Sequence, residues 1–99
     1  MIYSDIVKEG ARIFNVCDKD IYKDTRFTEI MRARKALYLA LFMRGASKSK
    51  IGQVMNRDHS TVMYGLKAAG VLMERDAEFK SKVEYLANMS VDLGQGDYQ

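Results

Sequence analysis

The chain contains no proline, one cysteine and one histidine, and its longest apolar run is the eight-residue stretch Ala36 to Met43. Each shortage excludes something. Cys17 has no partner for an internal disulfide, and one cysteine with one histidine rules out most zinc sites. Eight apolar residues fall far short of the roughly 18 needed to cross a bilayer, so no membrane span is expected. The first ten residues carry acids and lack the apolar core of a secretory signal. No segment alternates apolar and polar residues for long, so no sheet is evident. Nothing matches a phosphate-binding Gly-Lys-Ser/Thr loop, and neither nucleotide binding nor ATP hydrolysis is expected. These absences predict a reduced, cytoplasmic protein without metal or cofactor, and not an enzyme.

What is present is one domain's worth of chain, 99 residues and 11.3 kDa. Folding at this size hides about 65% of the unfolded surface, enough for one core but not for a catalytic domain beside a binding domain. Hydrophobic residues make up 47% and charged residues 29%, ordinary values that argue against disorder throughout. The net charge of +3 conceals an uneven distribution. Residues 1–18 carry 2 basic and 3 acidic side chains, residues 19–57 carry 10 and 3, and residues 58–99 carry 4 and 7. A basic middle third is the footprint of a polyanion binder, although clustered charge on a solvated surface would look the same.

Helical periodicity runs through the chain. Ser4 is expected to cap a first helix with Ile6, Val7, Ile13 and Phe14 as its apolar stripe. The chain is expected to end or restart that helix near Asp18, with Asp20 capping a short turn that carries Ile21 and Tyr22. Residues 23–27 read as a loop or arm. Thr28 is expected to cap a long helix with Ile30, Met31, Leu37 and Leu41 buried, closed by Gly45 in the C′ role. Arg32, Arg34 and Lys35 near its start oppose the helix dipole, so helix stability does not explain them. Ser47 caps a short helix with Ile51, Val54 and Met55 inward, and Asn56 breaks it. Asp58 caps the next helix, whose stripe is Val62, Leu66, Ala69 and Leu72. Asp76 caps a last helix carrying Phe79, Val83 and Leu86. The predicted fold is all-α, one compact helical domain over residues 1–90, with a flexible tail over 91–99. Cys17 reads as a small buried hydrophobe, the seven methionines as core filler, and the tyrosines as core edge.

Residues 47–72 have the proportions of a helix-turn-helix: a short capped helix, a tight polar turn at Asn56–Arg57, and a second capped helix. The first turn of the second helix presents His59, Ser60 and Thr61, polar side chains able to reach base edges in a major groove. Asp58 can cap that helix or accept a hydrogen bond from a cytosine amine. Ser47, Lys48, Ser49 and Lys50 place two hydroxyls, two ammonium groups and free N–H groups at one helix N-terminus, a set suited to the phosphate backbone. Two helices joined by a short turn are also common in plain packed domains. Asp58, His59 and Ser60 do not make a catalytic triad, because consecutive helical residues point about 100° apart.

The string Ile51-Gly52, followed by Arg57-Asp58-His59-Ser60-Thr61-Val62, resembles the signature of the C-terminal DNA-binding domain of the bacterial replication initiator DnaA. Upstream, Arg32-Ala33-Arg34-Lys35-Ala36-Leu37-Tyr38-Leu39 is similar to that family's basic helix start. The likeness runs from about residue 4 to residue 88. It implies a helix-turn-helix of the tryptophan-repressor-like type that binds short boxes in double-stranded DNA, through the reading helix in the major groove and a basic arm in the minor groove. By position, it implies that His59 and Ser60 contact bases with Asp58 and Thr61 beside them, and that Arg26 is the minor-groove arm. Arg57 is implied at the backbone by the turn, and Arg34 and Lys35 at the major-groove side or phosphates. Three departures stand out. Lys35 replaces the family's usual Gln, which suits phosphate better than adenine and implies a different preferred box. The turn and preceding loop are slightly short, which would shift the docking angle. The family's ATPase domain has no counterpart here.

The resemblance implies origin or operator recognition, hence replication or transcription control, as for a domain carried separately by a phage or mobile element. A second reading is an interaction protein, in which the last helix docks a protein partner, such as a host replication protein, and DNA is not bound.

Overall fold

The computed structural model describes residues 2–89, and the tail expected from Val91 onward lies outside them. Six helices follow one another: α1 (Ile2–Ile13), α2 (Asp18–Ile21), α3 (Thr28–Met43), α4 (Lys48–Met55), α5 (His59–Arg75) and α6 (Ala77–Asn88). No strand occurs among the described residues.

The core is organised around α3, which packs against all five other helices. Its middle explains how. Ala33, Ala36 and Ala40 are fully buried and leave room for neighbouring helices to approach, while Leu37 and Leu41 fill the space between them. Ile6, Val7 and Phe14 of α1 close one side, and Phe79, Val83 and Leu86 of α6 close another. The rings of Phe14 and Phe79 meet edge to face, with centroids 6.4 Å apart. Val62 and Ala69 of α5 are buried as expected, whereas Leu66 and Leu72 are half-buried.

Caps read from short-range chemistry are in place. The Ser47 hydroxyl accepts from the Lys50 N–H at 3.0 Å, Asp58 from the Thr61 N–H at 2.8 Å, and Asp76 from the Phe79 N–H at 3.0 Å. Gly45, at φ +100°, closes α3. Its N–H donates to the Phe42 carbonyl and the Ala46 N–H to the Leu41 carbonyl, the paired bonds of a Schellman ending.

Other expectations need correction. Helix α1 starts at Ile2, so Ser4 lies inside it rather than capping it. The first helix stops at Ile13, because Asn15 turns left-handed at φ 60°, and the chain restarts as a helix at Asp18, as expected. Asp20 is inside α2 and not its cap. Phe27, not Thr28, holds the N-cap position of α3: the Met31 N–H already donates to the Phe27 carbonyl, which starts the helix one residue earlier. Cys17 is exposed, because it stands at the extended turn before α2 while Val16 and Ile21 take the inward places. Of the methionines, Met55 is buried but Met31 and Met43 reach solvent, and Tyr64 and Tyr85 are exposed.

Polar ties fasten the outer helices. Arg32 of α3 pairs with Asp76 at 2.8 Å and lies 5.5 Å from the Phe79 ring centre. One amino group of the Arg44 guanidinium donates to the carbonyls of Leu86, Ala87 and Met89, sealing the end of α6. Tyr85 of α6 donates its hydroxyl to Glu9 of α1, which also pairs with Arg12. These two donors hold the Glu9 carboxyl at about 2.

Two glycines of α5 predict opposite outcomes. A Cβ at Gly65 would stand 2.4 Å from the buried Tyr38 ring, whereas one at Gly70 meets nothing within 4 Å. Gly65→Ala is expected to destabilise by about 1–3 kcal/mol through overpacking. Gly70→Ala is expected to stabilise by about 0.5–1 kcal/mol. Urea unfolding of both variants checks the pair. The depressed Glu9 carboxyl contributes stability that is fully present above pH 4.5 and is lost as pH falls toward about 2. The melting-temperature gap between wild type and Glu9→Gln is therefore expected to close across that interval.

Candidate nucleic-acid interface

Helices α4 and α5 form the bent pair read from the sequence. The chain turns between them because Asn56 adopts a left-handed conformation, φ 57° and ψ 50°, after the last residue of α4. The Arg57 N–H then donates back to the Gly52 carbonyl at 2.9 Å. Only glycine fits at position 52, since a Cβ there would lie 2.6 Å from the Arg57 carbonyl oxygen. That close approach is why Ile51-Gly52 and Arg57-Asp58 belong to one motif although five residues apart.

His59, Ser60 and Thr61 form the first turn of α5, and all three are exposed. Asp58 is drawn into capping: the hydroxyl and N–H of Thr61 hold its carboxyl below the usual range. The open side of the turn is a recess of about 420 Å³ lined by Lys48, Ser49, Gly52, Gln53, Asn56, Arg57, Asp58 and His59. Ser47, Lys48, Ser49 and Lys50 are all exposed around the N-terminus of α4. The Lys50 ammonium stands 5.4 Å from the ring centre of Tyr3. Gln53 was not singled out from the sequence, and Asn56 only as the residue of the turn. The available signal for Gln53 was its place on the outward side of α4, away from the buried Ile51 and Met55.

A second recess, about 470 Å³, opens between the 22–27 loop, α3 and α5. Its lining includes Arg26, Lys35, Thr61 and Tyr64. Arg26 is exposed on the loop and Lys35 is half-exposed. Thr61 lines this second recess with Arg26, which joins the loop to the first turn of α5, and Arg57 lines both recesses. Tyr64 and Met31 were missed as lining residues, because apolar side chains at helical spacing read as core.

Two arginines expected at the DNA backbone are turned inward instead. Arg34 is 7% exposed. Its guanidinium donates to the carbonyls of Ile21 at 3.0 Å, Asp20 at 2.8 Å and Lys23. Arg57 is half-buried and donates to the carbonyls of Tyr22, Asn56, Ile21 and Lys23. Both side chains bind the protein's own backbone at the end of α2, and Arg57 also lines both recesses. Burial, then the neighbouring charge of Arg57, lowers the Arg34 pKa from its ordinary value. Two positive groups thus share one set of carbonyls, and the loop that carries Arg26 is fastened both to α3 and to the turn between α4 and α5.

This arrangement defines a helix-turn-helix domain with a basic loop fixed beside the N-terminus of its second helix. The family described as bacterial dnaA protein helix-turn-helix matches residues 3–68. The chain belongs to that family. It is 36% identical over 85 residues to the chromosomal replication initiator protein DnaA of Oenococcus oeni, covering 84% of this chain and 19% of that protein. With the DnaA protein of Nautilia profundicola the identity is 35%, over 85% of this chain and 20% of the relative. With that of Rickettsia akari it is 33%, over 83% and 18%. The chain thus spans about a fifth of the length of these curated relatives. No solved structure matches the chain.

The inward role of Arg34 has a distinct signature. Arg34→Ala is expected to destabilise the fold by about 2 kcal/mol, because it removes the charged hydrogen bonds that a buried guanidinium makes to the Ile21, Asp20 and Lys23 carbonyls. Arg34→Lys is expected to recover little of that loss, since one ammonium group cannot reproduce the planar fork. A phosphate contact would behave differently, with lysine restoring function and stability unchanged. Urea unfolding of both variants separates the two.

Proposed function

We propose that this domain is a sequence-specific double-stranded DNA-binding protein that recognises a short box, in replication-origin recognition or in transcription regulation. It acts in the cytoplasm, on the nucleoid. The first turn of α5 enters the major groove, where His59, Ser60 and Thr61 meet base edges. Arg26 enters the neighbouring minor groove, where a narrow groove attracts guanidinium. Lys35, Lys48 and Lys50, with the hydroxyls of Ser47 and Ser49 and the free N–H groups of α4, contact phosphates. Arg34 and Arg57 act as positioning residues behind these contacts. The domain works without nucleotide or metal and catalyses no reaction.

The observation that carries this reading is the joint exposure of His59, Ser60 and Thr61 on one helical turn, with Lys48 and Ser49 lining the recess beside them. Membership of the DnaA helix-turn-helix family supports it. Lys35 reaches for a phosphate where the family's usual Gln would pair with adenine, so the preferred box differs from that of the relatives.

Fluorescence anisotropy on duplexes selected by the protein from a random pool, and on scrambled versions, tests the division of labour. Three lysine–phosphate contacts give a log–log salt slope near about −3. His59→Ala is expected to reduce the ratio of specific to scrambled binding about tenfold. Lys48→Ala is expected to weaken both alike and make the slope shallower by about 1. Identical behaviour of the two variants would refute the assignment of roles. Absence of binding to any duplex at low salt would refute the function.

A further inference from the structure

Phe27 is the most exposed of the large hydrophobic side chains that reach solvent among the described residues, at 73%. It follows Arg26 directly, on the loop between α2 and α3. We propose that Phe27 is an apolar wedge that enters the minor groove beside Arg26 and kinks the duplex at a flexible pyrimidine–purine step. The proposal rests on the DNA-binding reading above.

The loop is built to hold an aromatic ring away from the core. Upstream, the carbonyls of Asp20, Ile21, Tyr22 and Lys23 are gripped by Arg34 and Arg57. Downstream, the Phe27 carbonyl accepts the Met31 N–H at 3.0 Å and so begins α3. Phe27 itself is extended, at φ −65° and ψ 145°. With both flanks anchored, the ring cannot fold back onto the core without releasing the clamp or unwinding the first turn of α3. Its exposure is therefore a fixed feature of the surface.

The surroundings select the kind of partner. Lys23 and Arg26 share the loop with Phe27, and Met31, one helical turn on and itself solvent-exposed, lines the recess that holds Arg26 and Lys35. Asp24 is the one acidic residue in that lining. Glu29, exposed two residues after Phe27, is paired with Arg32 at 3.5 Å, and an apolar ring next to Arg26 at this basic recess is poorly matched to a neutral protein surface and well matched to a polyanion with an apolar interior. Stacked bases behind a phosphate fence have that composition. Proteins that combine a minor-groove arginine with an apolar wedge unstack one base step and bend DNA by about 20–90°. The energy of that deformation is lowest at pyrimidine–purine steps, so the wedge would add sequence preference at a position with no base-edge hydrogen bond.

The test uses the full chain and duplexes it has selected from a random pool, labelled at both ends for energy transfer. One set carries 2-aminopurine at successive steps beside the site. Wild type is expected to shorten the end-to-end distance and to brighten 2-aminopurine at one step, with tightest binding when that step is TA or CA. Phe27→Ala is expected to lose both signals and to bind about tenfold more weakly. Phe27→Leu is expected to keep most of the bend. Thermal unfolding is expected to be the same for all three, because the ring is exposed. If Phe27→Ala binds, bends and brightens as wild type does, the wedge is overturned while DNA binding stands. If Phe27→Ala instead changes the sedimentation of the free protein, the ring belongs to a contact between copies and the wedge is again overturned. If wild type binds no duplex, the functional reading falls and the wedge falls with it.

Discussion

A four-residue helix cannot satisfy its own carbonyls, because the last four C=O groups of any helix lack internal donors. In α2 that is the whole helix, and the following Tyr22 and Lys23 N–H groups reach the Lys19 and Asp20 carbonyls but leave Ile21 without a backbone donor in the turn. Arg34 and Arg57 meet this need from two different directions, one from the centre of the core and one from the turn between α4 and α5. Positive groups at a helix C-terminus are also favoured by its dipole. The position of the 22–27 loop, and with it the distance from Arg26 to the first turn of α5, depends on this double grip. Loosening either arginine would leave both surfaces folded but unregistered with one another.

The grip in turn depends on how α3 and α5 meet. The Tyr38 ring lies so close to Gly65 that no side chain fits between them. The small residues of α3 let five neighbours crowd a single helix, so there is little slack to absorb a shift. Small residues at positions 33, 36, 40 and 65 are therefore as much a part of the candidate interface as the polar side chains that line it.

Much of this was legible in the chain. Ser47, Asp58 and Asp76 announced their helices because capping is a matter of three residues, and the break at Asn56 followed from the tolerance of asparagine for a left-handed turn. The helix-turn-helix and its exposed polar front followed from those caps. Other features depended on long-range partners. Arg34 and Arg57 read as surface cations because their partners are backbone carbonyls, which have no sequence signature and, apart from that of Asn56, lie 11 to 36 residues away. Cys17 misled because a cysteine is usually buried, and Thr28 because a threonine usually caps. In both places the course of the neighbouring backbone decided the outcome. Phe27 falls in the segment read as a loop or arm, but the exposure of its ring has no local signature and depends on the anchored backbone at both its flanks.

The seal on α6 by Arg44 bears on how the domain opens. Last helices ordinarily fray, their terminal amides exchanging with solvent long before the core does. Here the terminal carbonyls of α6 are bonded to a side chain rooted at the end of α3, so releasing the last turn also means disturbing the central helix. The amides of α6 should then exchange as part of the same cooperative unit as α3. Opening at this side of the domain is in that sense a single event shared by α3 and α6.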